Sequence, residues 1–104
     1  MKYNPIDKCV GDYFKRHRLS MRYSMQAVAD KLGTQKSSYY YYEIGKVSMP
    51  FEYVKILLDF YQDDGNQLMS EMQKAFQNYL VQLYATIHGY NVTSSEDYEK
   101  EKVG

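Results

Sequence analysis

Residues 24–46 constrain the fold of this 104-residue chain more than any other stretch. Ser24 is a favourable N-cap residue, because its hydroxyl can accept a hydrogen bond from a backbone N–H of the first helical turn. The apolar residues that follow share one helical face: Val28, Ala29 and Leu32. Gly33 is a natural helix end, since glycine adopts positive φ without a steric penalty.

A second short helix is predicted directly after this turn. Thr34 is expected to cap it, and it is expected to run to about Ile44 and to end at Gly45. Two short helices joined by a glycine turn fit the helix-turn-helix unit. In DNA-binding units of this kind the second helix enters the major groove.

Other residues extend this pattern over residues 10–58, about half of the chain. The matching pieces are Val10-Gly11, Phe14, Arg18, Ser24, Val28-Ala29, Leu32-Gly33-Thr34, Glu43-x-Gly45-Lys46 and Pro50. On these residues the chain resembles the Cro/phage-repressor (XRE-type) helix-turn-helix family. The resemblance implies an all-α, five-helix lambda-repressor-like domain and sequence-specific binding to double-stranded DNA, usually as a dimer.

The remaining helices are predicted from capping and turn residues. Asp7 is expected to cap a first helix from about Lys8 to Met21, after a loose arm at residues 1–6. Pro50 is expected at the first position of a fourth helix. An Asp-Asp-Gly turn at residues 63–65 then precedes a fifth helix.

The fifth helix, from about Asn66 to His88, is longer than the family requires. Apolar and aromatic residues recur along it at steps of three and four positions and form a stripe on one face: Met69, Met72, Phe76, Tyr79 and Leu83. At 1.5 Å per residue it spans roughly 35 Å, more than a domain of this size covers. We therefore expect a homodimer interface here, the alternative being that the stripe folds back on its own domain. The predicted units are a helix-turn-helix DNA-binding domain (1–64), an extended C-terminal helix (65–90) and a flexible tail (91–104).

The resemblance also implies a structural ion pair between Arg18 and Glu43. It would join the first helix to the end of the third and fix their relative orientation. The alternative is two separate solvated charges.

The residues expected to contact DNA lie mainly on the third helix. Gln35, Lys36 and Ser37 open it, where glutamine can pair with adenine and lysine with guanine. Tyr40 and Tyr41 are expected to point outward, whereas Tyr39 and Tyr42 match inward positions of the family. Further expected DNA-binding residues are Ser24, Met25, Gln26, Lys46 and Arg16. Met25 departs from the family's usual glutamine, so only its backbone N–H can bind phosphate there.

Charge and composition limit the function classes. Residues 1–58 carry ten Lys and Arg against five Asp and Glu, and residues 59–104 carry three against eight. This asymmetry favours a basic binding half. The single Cys9 fits a reducing cytoplasm, and no apolar run approaches the ~20 residues of a membrane span.

Two functions are compatible with these observations. No motif indicates an enzyme, a metal site or a cofactor. We expect a transcriptional regulator from a bacterium or its phage or mobile element. The alternative is a protein-binding module on the same scaffold (antirepressor, inhibitor or antitoxin), which the tyrosines and the apolar loop Val47–Met49 favour.

Overall fold

A computed structural model describes residues 4–89, and within them the chain forms five α-helices and no strand. The helices are α1 (Pro5–Ser20), α2 (Met25–Leu32), α3 (Lys36–Glu43), α4 (Phe51–Phe60) and α5 (Asn66–His88). The prediction of an all-α chain with five helices is confirmed over this range. The predicted tail at residues 91–104 lies outside the described residues, as do residues 1–3 of the predicted arm.

The first helix begins earlier than predicted. The Asn4 side chain accepts hydrogen bonds from the backbone N–H groups of Ile6 at 2.8 Å and Asp7 at 3.3 Å, so Asn4 is the N-cap. Pro5 follows at the first helical position. A backbone N–H at this position has no partner within the helix, so the lack of an N–H in proline removes no hydrogen bond. The prediction of Asp7 as the cap was wrong because Asn and Asp cap equally well, and the Asn4-Pro5 pair lies further upstream.

The boundaries of α2 agree with the sequence pattern, but the start of α3 does not. The Ser24 hydroxyl accepts a hydrogen bond from Ala27 N–H at 3.0 Å, and Gly33 ends α2 with φ 73°. The N-cap of α3 is Gln35, with no side-chain cap hydrogen bond. Thr34, predicted as the cap, instead donates its backbone N–H to the Ala29 carbonyl at 3.0 Å and so closes the end of α2.

Pro50 precedes α4 rather than opening it. Its backbone is extended, with ψ 144°, and its carbonyl accepts hydrogen bonds from Tyr53 and Val54 at 3.0 and 3.1 Å. These are the properties of an N-cap residue. The prediction of Pro50 as the first helical residue was therefore wrong by one position.

One core joins all five helices. Its buried members are Val10, Tyr13, Phe14, Val28, Ala29, Leu32, Tyr39, Leu57 and Leu68. Met72 is half-buried and packs against this core, so it is not a freely exposed member of the predicted stripe. The first turns of α5 thus belong to the same packed unit as α1–α4.

Two glycines allow α1 to contact the end of α3 directly. A Cβ on Gly11 would lie 2.3 Å from the Tyr42 carbonyl oxygen. Gly45 has φ 80°, and a Cβ there would lie 2.5 Å from Lys8 Cα. Both distances are well below van der Waals contact, so larger residues are excluded. This close backbone approach fixes the C-terminal end of α3.

Candidate nucleic-acid interface

A buried ion pair holds α3 against α1. The Arg18 guanidinium donates two hydrogen bonds to the Glu43 carboxylate, at 2.8 and 2.9 Å, and a third to the Tyr23 carbonyl at 3.0 Å. Arg18 is 7% exposed and Glu43 is 3% exposed. Arg18 and Glu43, expected to form an ion pair, are therefore in contact. Their two parallel hydrogen bonds form the bidentate arrangement in which arginine–carboxylate pairs are strongest.

Tyr39 completes this buried cluster. Its hydroxyl donates to Glu43 at 2.6 Å, one helical turn away. Burial, and then the hydrogen bond to Glu43, raise the pKa of Tyr39 far above its usual value, so the hydroxyl stays protonated and remains a donor. The Glu43 hydrogen bonds raise the pKa of Arg18 as well. Three polar groups thus satisfy one another inside the core.

The opposite side of α3 is open to solvent. We call the exposed residues Gln35, Lys36, Ser37, Tyr40 and Tyr41 the α3 face. The rings of Tyr40 and Tyr41 lie 5.5 Å apart at 55°. Tyr39 is fully buried and Tyr42 is half-buried against the core, so the four consecutive tyrosines divide between core and surface.

Lys46 lies next to the α3 face. Its backbone N–H donates to the Tyr41 carbonyl at 3.0 Å, and its Nζ lies 4.8 Å from the centre of the Tyr41 ring. A cation over an aromatic ring is attracted to the ring's negative face. The lysine charge and the tyrosine ring therefore form one surface at the end of α3.

The expected contacts at the start of α2 are only partly available. Ser24 caps the helix with its hydroxyl, and the Met25 side chain is half-buried against the core. Gln26 donates its side-chain amide to Asp30 at 2.8 Å within α2. The Ala27 N–H is bonded to the Ser24 hydroxyl, whereas the backbone N–H groups of Met25 and Gln26 have no partner within the helix.

Arg16 is directed towards α5. Its guanidinium donates two hydrogen bonds to the Glu71 carboxylate, one of them at 3.3 Å, and lies 3.4 Å from Asp12. The hydrogen bonds that Arg16 donates to Glu71 raise the pKa of Arg16. The structure therefore places this residue, expected to bind DNA, in a contact between α1 and α5, with its charge neutralised by two acids.

A second polar cluster was not predicted from the sequence. Asp63 accepts hydrogen bonds from the Tyr13 hydroxyl and from the backbone N–H of Gly65, and it lies 2.7 Å from His17 Nε2. Partial burial tends to raise the pKa of Asp63, but these hydrogen bonds outweigh it and the pKa is lowered. The cluster ties α1 to the turn before α5. Asp63 lies 50 residues from Tyr13 and 46 from His17 in sequence, and no local pattern connects it with them.

Most of the predicted stripe on α5 is exposed. Met69, Phe76, Tyr79 and Leu83 are exposed, and Met72 is the half-buried exception noted above. Leu80, Tyr84 and Ile87 are also exposed. The exposed apolar surface is therefore broader than the narrow stripe read from the sequence.

Within residues 4–89, no helix is long and apolar enough to cross a membrane, and no group of His, Cys, Asp or Glu could hold a metal ion. Comparison with known proteins finds no matching family model, no similar curated protein and no similar solved structure.

Proposed function

We propose that this protein is a sequence-specific DNA-binding transcriptional regulator of the Cro/repressor type, acting in the cytoplasm. The observation that supports this most directly is the α3 face, which is open to solvent while the other side of α3 is held by the Arg18–Glu43 pair. Two short helices, α2 and α3, are joined by a three-residue turn that begins with Gly33, as expected for a helix-turn-helix unit. In that unit α3 is the recognition helix.

Each residue of the α3 face has a role in this proposal. Gln35 and Lys36 lie at the start of α3, where recognition helices contact base edges. Glutamine suits adenine, and lysine suits guanine O6 and N7. Tyr40 and Tyr41 offer rings to thymine methyl groups and hydroxyls to phosphates. Lys46 and the backbone N–H groups at the start of α2 bind the phosphates of the DNA.

The electrostatic part of this binding is weak. The charge of Arg16 is neutralised by Glu71 and Asp12. Lys36 and Lys46 are then the main cations of the proposed surface. Since each phosphate contact contributes about −0.9 to the slope of log affinity against log salt, one copy gives a slope of only about −2.

A surface with so few phosphate contacts favours binding as a pair. Half-sites on one DNA face lie about 34 Å apart. The exposed apolar surface of α5 supports a homodimer that would hold two copies at such a distance. We therefore include dimerisation through α5 in the proposed function.

DNA selection followed by titration tests this proposal. Duplexes are selected from a random pool on the wild-type protein, and their affinities are measured by fluorescence anisotropy at two salt concentrations. Lys36→Ala is expected to lower affinity by about 1–3 kcal/mol and to relax one base position. The control is Lys55→Ala, an exposed lysine on α4, which is expected to change affinity little. A pool that yields no consensus, or equal effects for the two variants, would contradict the proposal.

A protein-binding module is the second candidate, as an antirepressor, inhibitor or antitoxin. The observation that favours it is the exposed apolar surface at the end of α3. Val47 and Tyr41 are both exposed, and Val47 donates its backbone N–H to the Tyr41 carbonyl at 3.3 Å. Tyrosine is enriched at protein interfaces. Tight binding of a protein partner that Tyr40→Ala abolishes, with no DNA selected, would favour this candidate.

A further inference from the structure

An apolar pocket of about 490 Å³ opens between the start of α1, α4 and the start of α5. Its apolar walls are Ile6, Val10, Met49, Phe51, Val54, Leu58, Leu68, Met69 and Met72. Its volume lies within the range of pockets that bind ligands or partner side chains. Three of the wall residues are methionines, which adapt readily to the shape of an occupant.

Two wall residues extend outward instead of filling this space. Phe51 is 81% exposed and Met69 is 59% exposed. They continue the apolar surface of the pocket onto the surface of α5. A side chain that enters the pocket would therefore also be covered by its rim, as the anchor of an interface usually is.

The exposed residues of α5 form a regular seam that begins at this pocket. Its members are Met69, Phe76, Leu80, Leu83 and Ile87. They follow heptad positions a and d, with Gln73 completing the pattern. The flanking e and g positions carry no charge: Ser70, Met72, Gln77, Tyr79, Tyr84 and Thr86. An identical helix therefore meets no charge repulsion along this seam.

The exposed area is large enough for two copies only if the pocket also contributes. Seam side chains of this size bury on the order of 100 Å² each when covered. Two copies of a five-residue seam then bury roughly 1,000 Å², at the lower limit for a specific interface. Covering Phe51 and the pocket on both copies would bring the total into the usual range. Area thus favours a partner that occupies the pocket and the seam together.

The charges of the pocket and of α5 favour one direction for that partner. The pocket contains two acids, Asp7 and Asp64, and no Lys, Arg or His. From Met72 to His88, α5 carries no acid, and its only basic residues are Lys74 and His88. A parallel pair would place the acidic ends of two copies together, whereas an antiparallel pair places each acidic end against the acid-free end of its partner. Antiparallel helix dipoles also attract each other.

We propose that two copies of this chain pair through antiparallel α5 helices, and that each copy places its Ile87 in the pocket of the other. With the two-fold axis at the middle of the seam, near Asn78, Ile87 lies opposite Met69 at the mouth of the pocket, and Phe76 lies opposite Leu80. Ile87 is 70% exposed in the single chain. This arrangement deepens the dimer included in the proposed function and rests on it.

The arrangement has a consequence for DNA spacing. Met69 and Ile87 are eighteen positions apart, so the two copies of Met69 lie about 27 Å apart along the paired helices at 1.5 Å per residue. An interaxial offset of about 8–10 Å increases the separation of the two cores to roughly 30 Å. This is close to the spacing of half-sites on one DNA face, about 34 Å. A parallel pair would place the two cores side by side.

Disulfide trapping tests the arrangement in the full-length chain. Cys9, the only cysteine, is first replaced in a Cys9→Ser background. Met69→Cys combined with Ile87→Cys is expected to give covalent dimers on mild oxidation, while each single variant stays monomeric on a non-reducing gel. Within one chain these positions are about 27 Å apart, so they cannot bridge, since a disulfide needs Cα atoms within about 7 Å. Phe51→Cys combined with Ile87→Cys is expected to cross-link too, because both residues meet at the pocket.

Each other outcome overturns a defined part of the inference. Single variants that cross-link to themselves indicate a parallel pair, and a double variant that stays monomeric excludes the register. If the 69/87 double variant cross-links but the 51/87 double variant does not, Ile87 does not occupy the pocket, and the assigned occupant is refuted.

Sedimentation equilibrium gives a second measurement that needs no oxidation. Ile87→Asp is expected to weaken dimerisation at least tenfold, because it places a carboxylate in the acidic pocket. Gln82→Asp, at an exposed position of α5 away from the seam, is the matched control and is expected to have little effect. Equal effects of the two variants would contradict the inference. Dimers that bind no DNA would overturn the proposed DNA binding and leave the pairing in place. DNA binding by a protein that stays monomeric would overturn the pairing, both here and in the proposed function, and leave the proposed DNA binding in place.

Discussion

Replacing Glu43 by Ala removes the acceptor at the centre of the buried polar cluster. The Glu43 carboxylate accepts two hydrogen bonds from Arg18 and one from the Tyr39 hydroxyl, all inside the core. Glu43→Ala would leave the buried Arg18 charge without its counterion and the buried Tyr39 hydroxyl without an acceptor. Both losses act on the contact that orients α3 against α1.

The size of the effect follows from these contacts. Removing one partner of a buried ion pair costs about 3–5 kcal/mol. The unsatisfied hydroxyl adds about 1–3 kcal/mol. A domain of this size is stabilised by roughly 4–13 kcal/mol in total. We therefore expect Glu43→Ala to remove most of the free energy of unfolding, with a fall in Tm of about 15 °C or more.

Chemical denaturation followed by circular dichroism measures this loss. The control is Glu52→Ala, an exposed residue in the first turn of α4, which is expected to cost only about 0.3–1 kcal/mol through the helix dipole. A double variant, Arg18→Met with Glu43→Leu, is expected to be more stable than Glu43→Ala, because it leaves no unpaired charge. Equal, small shifts in denaturant midpoint for Glu43→Ala and Glu52→Ala would refute the reasoning.

Two further predictions concern polar groups near the core. The buried Tyr61 hydroxyl has no hydrogen-bond partner among the described residues, so Tyr61→Phe is expected to raise the free energy of unfolding or leave it unchanged. Tyr39→Phe, which removes a bonded hydroxyl, should lower it by about 1 kcal/mol. Thermal melts of both variants check this. Asp63 has a folded-state pKa below its unfolded value, so it contributes stability that is present above about pH 4 and is lost as the pH falls through the folded value. Asp63→Asn should therefore be less stable than wild type at neutral pH but not in acid, and parallel pH profiles would contradict this.

The five helices could be predicted from the sequence because capping residues, turn residues and apolar periodicity point to the same helices that pack in the structure. Ser24 and Gly33 mark the ends of α2 through side-chain capping and positive φ, both of which are local properties. The apolar period of α5 and the turn before it gave the observed bounds, Asn66–His88. Where two capping residues compete, as Asn4 and Asp7 do before α1, the local signal does not select between them.

Contacts between distant residues were much less predictable. Arg18 and Glu43 were paired only through the resemblance proposed from the sequence, since nothing local connects residues 25 positions apart. Neither the contact of Tyr13 with Asp63 nor the neutralisation of Arg16 by Glu71 has any sequence signature. Both depend on how α5 packs against α1, which is a property of the assembled core. The contact of Arg16 with Glu71 could not be predicted from its sequence position for this reason, and its role in binding DNA stays a prediction.

The small number of cations on the α3 face connects the two proposals. One copy brings two lysine charges to the DNA, Lys36 in the major groove and Lys46 at the phosphates, and if each displaces one counterion the salt slope is about −2. Two copies that share one DNA face would give a slope of about −4 and would read two half-sites together. Loss of dimerisation should therefore be visible in the DNA-binding data as a halved salt slope, even though Ile87 lies far along the chain from Lys36. A monomeric Ile87→Asp variant that kept the wild-type slope would show that a single copy already makes all the phosphate contacts, and pairing through α5 would then have no role in reading DNA.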